Sequence, residues 1–235
     1  MYPDQFRYSY IFSDARYAFR TQDFSGETGA SLLKCEPFQQ IHECDALIFL
    51  KQVHGTNGVA IGSRDEAKRF TVFSTHADYA MTHVPRVALG VITADCVPLL
   101  FYDSRNRVVA AAHGGWRGTV AGIGGIVIDH MKREYGTHPA DLEVRIGPSA
   151  GPCCYEVGDE VLVHVRRYSW GHQVISGRIF DLPGFHHRYL SECGVLQGKI
   201  QMEDHCCTIC NKAYCSVRRQ SGTLDRQFSL VMLSR

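Results

Sequence analysis

Apolar residues along the chain fall into short runs bounded by turn residues. "ALIFLKQV" (46–53), "VALGVIT" (87–93), "VPLLFY" (97–102), "VVAAA" (108–112), "LEVRI" (142–146) and "FSLVML" (228–233) have strand length and strand composition. Between 116 and 135 the period lengthens to that of a helix. Val120, Ile123, Val127 and Met131 share one side, and Asp129, Lys132 and Arg133 lie on others. Gly136 and Pro139 supply the stop. Gly122, Gly124 and Gly125 each weaken that helix by ~1 kcal/mol relative to alanine, which predicts close packing against a sheet. Weaker helical patterns cover 157–168 and 184–193. Strands and helices mix without a regular βαβ alternation, so the expected class is α+β, with mixed β-sheets flanked by helices. No repeat or Pro/Ser-rich linker interrupts the pattern, which predicts a single domain over 1–235.

The two central runs form a hairpin around "DSRN" (103–106), a turn with Asp first and Asn last. A loop of those four residues pairs Tyr102 with Arg107, and hence Cys96 with His113. Directly opposed residues have Cβ atoms ~5 Å apart on one sheet face, close enough to share an ion. Thiolate and imidazole suit zinc or copper, whereas magnesium and calcium prefer oxygen. His54, in "KQVHGTNG" just after the 46–53 run, is the candidate third ligand. Three protein ligands leave a fourth tetrahedral position for water or substrate, as in catalytic zinc sites, where a bound water ionises near pH ~7. A core cysteine with two hydrogen-bonded histidines would satisfy the same spacing.

Composition narrows the setting. At 235 residues, 45% hydrophobic and 21% charged, the chain has ordinary globular make-up and length enough for a sizeable core. Lys+Arg 25 against Asp+Glu 24 gives net charge +1, so neither nucleic acid nor a membrane surface is an expected partner. Local basic clusters remain suited to small anions. No apolar run approaches the ~20 residues of a membrane-spanning helix, and "MYPDQFRYSYIFSDAR" lacks the features of a secretory signal. The expectation is a cytoplasmic protein, monomer or homodimer, whose 10 cysteines are reduced thiols.

"HGGWRG" (113–118) runs from a strand end through two glycines into the 116–135 helix. Backbone N–H groups there, with Arg117 alongside, would make an anion site beside the metal. Cys153 and Cys154 read as small apolar residues at a Gly/Pro-rich turn. Cys206, Cys207, Cys210 and Cys215 raise a second-metal question, but C-x2-C-x4-C lacks a partner pair at zinc-ribbon spacing. The remaining histidines, including His186 and His187, are expected at the surface.

"KQVHG", "TADCVPLLFYD", "AAHGGWRGTVAGI", "IGPSAGPCCYEVGDEV" and "CTICNKAYCSVRRQSG" together resemble the YfiH-like, laccase-domain family, in its order and over roughly 46–233. The resemblance implies a single-domain fold of helices and strands, and a zinc site of His54, Cys96 and His113, with copper as the alternative metal. It also implies a purine nucleoside enzyme, which cleaves adenosine, inosine and methylthioadenosine with phosphate and also deaminates adenosine. The older family label is multicopper polyphenol oxidase, or laccase. Two blocks depart from the family. "AFRTQDFSGETG" replaces a "TRxGG"-like block, leaving the carry-over of an active-site arginine onto Arg20 open. Near the C-terminus Cys215, Val217 and Gln220 replace an aromatic, a tyrosine and an acid, while Arg218, Arg219 and "DRQ" (225–227) survive.

For phosphorolysis, a guanidinium fork grips phosphate oxygens in bidentate fashion, and Arg117, Arg218 and Arg219 are the candidates. For deamination, the H-x-E…P-C-x-x-C signature is absent. Asp95 is a weak candidate shuttle, because adjacent strand residues point to opposite faces. Three rivals stand beside this reading. A cysteine hydrolase would use Cys96 as nucleophile and His113 as base. A copper oxidase would resemble a blue-copper His/Cys set, yet the chain has no H-x-H pair for further coppers. A metal-stabilised binding module would have no pocket beside the metal.

Overall fold

The computed structural model describes residues 8–203 and 207–234. In chain order the first strands are β1 (Tyr8–Phe12), β2 (Ala46–Phe49), β3 (Gly58–Ile61), β4 (Tyr79–Thr82), β5 (Val87–Thr93) and β6 (Val97–Asp103). They are followed by β7 (Val108–Gly114), β8 (Leu142–Ile146), β9 (Ile175–Ser176), β10 (Ile179–Phe180), β11 (Ile200–Met202) and β12 (Gln227–Leu233). The helices are α1 (Arg64–Arg69), α2 (Trp116–Val120), α3 (Ile123–Tyr135), α4 (Asp159–Val165) and α5 (Leu182–Glu192). No helix among the described residues is long and apolar enough to cross a membrane.

Two mixed sheets stack face to face, one with strand order β1-β12-β5-β2 and the other β11-β8-β6-β7-β4-β3. Most neighbours are antiparallel; β2 with β5, β3 with β4 and β8 with β11 are parallel. β6 shows why its sequence reads as a continuous apolar run. Leu99 and Phe101 face a core shared with α3, α4 and α5, while Leu100 and Tyr102 face the other sheet. A strand covered on both sides has no polar face to alternate. The outer face of the four-stranded sheet is sealed by an aromatic cluster that includes Phe19, Phe24, Phe38, Phe49 and Phe228.

The predicted strands are present, with β2 ending at Phe49, short of residue 53. The expected single helix over 116–135 is two helices, broken at Gly122, whose φ of +81° is left-handed. A Cβ at Gly122 would also sit 2.6 Å from the Tyr189 hydroxyl. Gly124 and Gly125 do pack closely, but against Leu190 and Tyr189 of α5 rather than a sheet. His186, expected at the surface, is fully buried in that helix and shares a 2.8 Å hydrogen bond with Thr119.

The hairpin register also differs from the expected one. Asp103 pairs with Val108 and Pro98 with His113. The cause is Asp103, whose buried carboxylate accepts the N–H groups of Arg105 (2.9 Å) and Asn106 (3.0 Å). Capping the turn from the strand end moves the four-residue loop to 104–107, with Arg107 left-handed at φ +53°. The pairing therefore shifts by two residues. Because side chains alternate with period two, Cys96 and His113 stay on one face as diagonal neighbours.

Candidate metal centre and its cavity

The sulfur of Cys96 and one nitrogen each of His54 and His113 lie within 4.8 Å of one another. Each residue comes from a different kind of local structure. Cys96 occupies the bend between β5 and β6, next to Asp95, whose φ of +90° is unusual for a non-glycine residue. Three contacts hold that bend. Asp95 accepts Thr208 Oγ1 (2.7 Å) on one carboxylate oxygen and the Arg218 N–H (2.8 Å) on the other, and its carbonyl accepts the Ala150 N–H. Both carboxylate oxygens are engaged away from the metal ligands, which makes Asp95 a positioning residue and not a proton shuttle.

His113 closes β7 and is 3% exposed. His54 follows β2 in a loop, left-handed at φ +61°. Both are organised by Asp78, a residue the sequence reading missed. Its wholly buried carboxylate accepts the N–H groups of Val53 (3.4 Å), His54 (2.9 Å) and Gly55 (2.7 Å), and lies 2.9 Å from His113 Nδ1. An ionised carboxylate only accepts, so the imidazole donates from Nδ1 and leaves Nε2 toward Cys96. Burial alone would raise the Asp78 pKa, but the His113 bond and the Gly55 N–H outweigh it and hold the carboxyl below its ordinary range.

The charge state of the pair follows from the same contacts. Burial pushes the Cys96 thiol up, yet the charge and hydrogen bond of His113, helped by His54, bring it down to about 6. Burial likewise opposes the His113 imidazolium, and the Cys96 thiolate and Asp78 carboxylate raise it to about 9. Thiolate is the form that binds a soft metal or attacks as a nucleophile. Donors sharing one tetrahedral ion at 2.0–2.3 Å would stand ~3.3–3.8 Å apart, a modest contraction from the observed spread. One sulfur and two nitrogens suit zinc or copper.

The two glycines of "HGGWRG" have a steric role. A Cβ at Gly115 would lie 2.8 Å from His54 Cδ2 and 3.3 Å from Cys96 Sγ, and one at Gly114 would lie 2.6 Å from His186 Nε2. The expected helix-start anion site is weakened, since α2 is only five residues long. Cations supply the positive charge instead.

A cavity of about 1020 Å³ opens from the three ligands and is lined by Arg20, Lys51, Arg117, Arg218 and Arg226, with Phe73, Trp116 and Tyr155 among its walls. Such a cavity runs against the pocketless binding-module reading. Arg117 lies 4.4 Å over the Trp116 ring. Arg218 lies 4.9 Å over Tyr155 and donates to the Glu156 carbonyl at 2.8 Å. Arg20 reaches the rim from the N-terminal block, paired with Asp225 at 3.0 Å. Arg219, expected at the phosphate, does not line the cavity. Its guanidinium donates to the carbonyls of Thr208, Ile209, Asn211 and Tyr214, clamping its own segment.

The cysteines differ from expectation in their grouping. Those described are free thiols. Cys215 is buried apart, its N–H bonded to Gln227, and Cys206 lies outside the described residues. Cys153 and Cys154, read as turn fillers, instead meet Cys207 and Cys210.

Comparison with known proteins follows the same lines. The family model described as multi-copper polyphenol oxidoreductase laccase matches residues 30–234. A Bacteroides thetaiotaomicron protein named purine nucleoside phosphorylase is 32% identical, covering 94% of this chain and 87% of that protein. Adenosine deaminase RL5, from an unknown prokaryotic organism, is 29% identical over 80% of this chain and 75% of its own length. The solved structure of the hypothetical protein YfiH from Bacillus licheniformis superposes with a TM-score of 0.82 at 25% identity, covering 98% of this chain and 94% of that one.

Proposed function

Because this chain belongs to the multi-copper polyphenol oxidoreductase laccase family, we propose that it is a zinc-dependent purine nucleoside enzyme. Its main reaction is phosphorolysis of adenosine, inosine and methylthioadenosine, with adenosine deamination as a second activity. One observation carries the reading: a His54–Cys96–His113 donor set opens onto a cavity lined by arginines. The names of the relatives supply the substrate class.

In phosphorolysis a phosphate oxygen bonds to C1′ of the ribose as the bond from C1′ to the base nitrogen breaks. The electron pair leaves with the base, which takes up a proton. Arg117 and Arg218 hold the phosphate, since a guanidinium braced on an aromatic ring loses little freedom when it binds. Asp78 holds the Nδ1 proton of His113, so Nε2 is the nitrogen that would be freed for a metal, and in the absence of one the His113 imidazolium keeps Cys96 a thiolate. A zinc ion on these donors would act as a Lewis acid and lower the pKa of a bound water. Gly115 leaves the room that access to the three donors requires. Copper oxidation of phenols is disfavoured, because only one histidine-bearing group of potential ligands is found among the described residues.

The deciding experiment incubates metal-quantified protein with adenosine, with and without phosphate, and identifies the products by chromatography. The reading expects adenine and ribose 1-phosphate only with phosphate, and inosine as a minor product. No turnover of any purine nucleoside would overturn it in favour of a hydrolase acting through Cys96 and His113.

A further inference from the structure

Away from the cavity ligands, four sulfurs from two distant stretches converge. Cys153 and Cys154 lie in the turn after β8, and Cys207 and Cys210 in the turn after β11. Their Sγ atoms all lie within 4.8 Å of one another. Cys153 Sγ is 3.4 Å from Cys154 Sγ and 3.7 Å from Cys210 Sγ. A disulfide would bring a pair to ~2.05 Å. Four thiolates bound to one ion at ~2.3 Å would stand ~3.8 Å apart, the edge of a tetrahedron. The observed separations match the second arrangement.

We propose that Cys153, Cys154, Cys207 and Cys210 form a second metal site, a closed tetrathiolate centre for zinc with a structural role. Two further observations agree with it. Cys153 and Cys154 are adjacent, a spacing unlike C-x2-C, yet their turn directs both sulfurs to one point. Cys207 and Cys210 have knuckle spacing, and the Gly151 N–H donates to Cys207 Sγ at 3.4 Å. Four protein sulfurs complete the coordination and leave no open corner, which separates this site from the three-donor site in the cavity.

The place in the fold gives the centre its task. Residues 207–222 lack regular strand or helix and are held by single contacts such as the Ser149–Cys207 bridge and the Thr208 N–H to Ser149 carbonyl bond (3.0 Å). This segment carries Arg218 to the cavity, and the turn opposite carries Tyr155, on which Arg218 rests. An ion bound by both turns ties the two together, and its binding free energy adds to folding.

The test counts metal on protein purified without chelators. About two equivalents of zinc per chain are expected in the wild type, and about one in Cys153→Ser/Cys210→Ser. In His54→Ala/His113→Ala, where the thiol cluster is intact, one ion should remain, with an all-sulfur shell at ~2.3 Å by X-ray absorption. Cobalt(II) loaded in its place should give the visible bands of a tetrahedral thiolate site. No ion in the histidine variant, a shell containing nitrogen or oxygen, or an intact mass with these thiols joined as disulfides would overturn the proposal. If the serine variant fails to fold, the histidine variant decides alone. Neither result depends on nucleoside turnover, so this proposal and the functional reading fail separately.

Discussion

Replacing Asp78 with asparagine tests how much of the candidate metal centre depends on one carboxylate. Asparagine keeps the shape but only one acceptor oxygen, whereas Asp78 uses Oδ1 for the His54 N–H and His113 Nδ1 and Oδ2 for the Val53 and Gly55 N–H groups. With that oxygen kept for the Val53 and Gly55 N–H groups, the amide NH2 faces the His54 N–H and His113 Nδ1, donor against donor. The ring relieves the clash only by moving its proton to Nε2, the nitrogen that faces Cys96. Loss of one charge-assisted hydrogen bond is worth about 1.5–3 kcal/mol. Partners that orient a metal-binding histidine are independently worth about 10–100-fold in metal affinity, or roughly 1.4–2.7 kcal/mol. The expected outcome for Asp78→Asn is thus a zinc affinity at the cavity site lower by one to two orders of magnitude, with the fold retained. Competition against a chromophoric chelator measures it, with circular dichroism as the check on folding. An affinity within about threefold of wild type, a difference of about 0.6 kcal/mol, would refute the role given to Asp78.

Three further outcomes are expected. Gly122→Ala forces a left-handed alanine against the Tyr189 hydroxyl, and should lower stability by about 1–3 kcal/mol in urea denaturation; an unchanged midpoint would contradict the helix break. His186 is buried and its pKa is lowered by burial from 6.5 to about 3, so the unfolded chain takes up a proton first. Its contribution is complete above 6.5 and is lost as pH falls toward 3; between pH 7 and 5 wild type should lose about 2 kcal/mol that His186→Gln does not. Arg218→Ala should raise the phosphate KM with little change in melting temperature, whereas Arg219→Ala, which frees four carbonyls, should lower the melting temperature. Equal effects from the two would refute the division of labour between these neighbours.

Much of the architecture is legible in the sequence because it rests on local pattern. The runs at 87–93 and 142–146 coincide with β5 and β8 from end to end. β4 was missed, since "YAMT" is four residues of mixed preference made a strand by β7 and β3 beside it. The ligand trio was within reach because a slip of two residues preserves the sheet face, even though the loop position was misjudged. Asp78 was not legible: nothing in "THADYA" marks an aspartate whose partners lie 23 to 35 residues away. The same holds for Cys153 and Cys154, whose partners are more than 50 residues downstream and whose adjacency matches no familiar spacing. Arg218 and Arg219 are indistinguishable as letters, and only the path of the backbone sends one inward and the other onto its own carbonyls.

Asp95 joins two parts of the molecule that would otherwise be independent. One carboxylate oxygen fastens Thr208 and the other fastens the backbone of Arg218, while the next residue along is Cys96. The anion-gripping arm and the soft donor therefore share a single rivet. A C-terminal segment transplanted from a relative would bring working chemistry only if it carried a hydroxyl where Thr208 stands; without it, the arm would arrive and the sulfur would lose its aim.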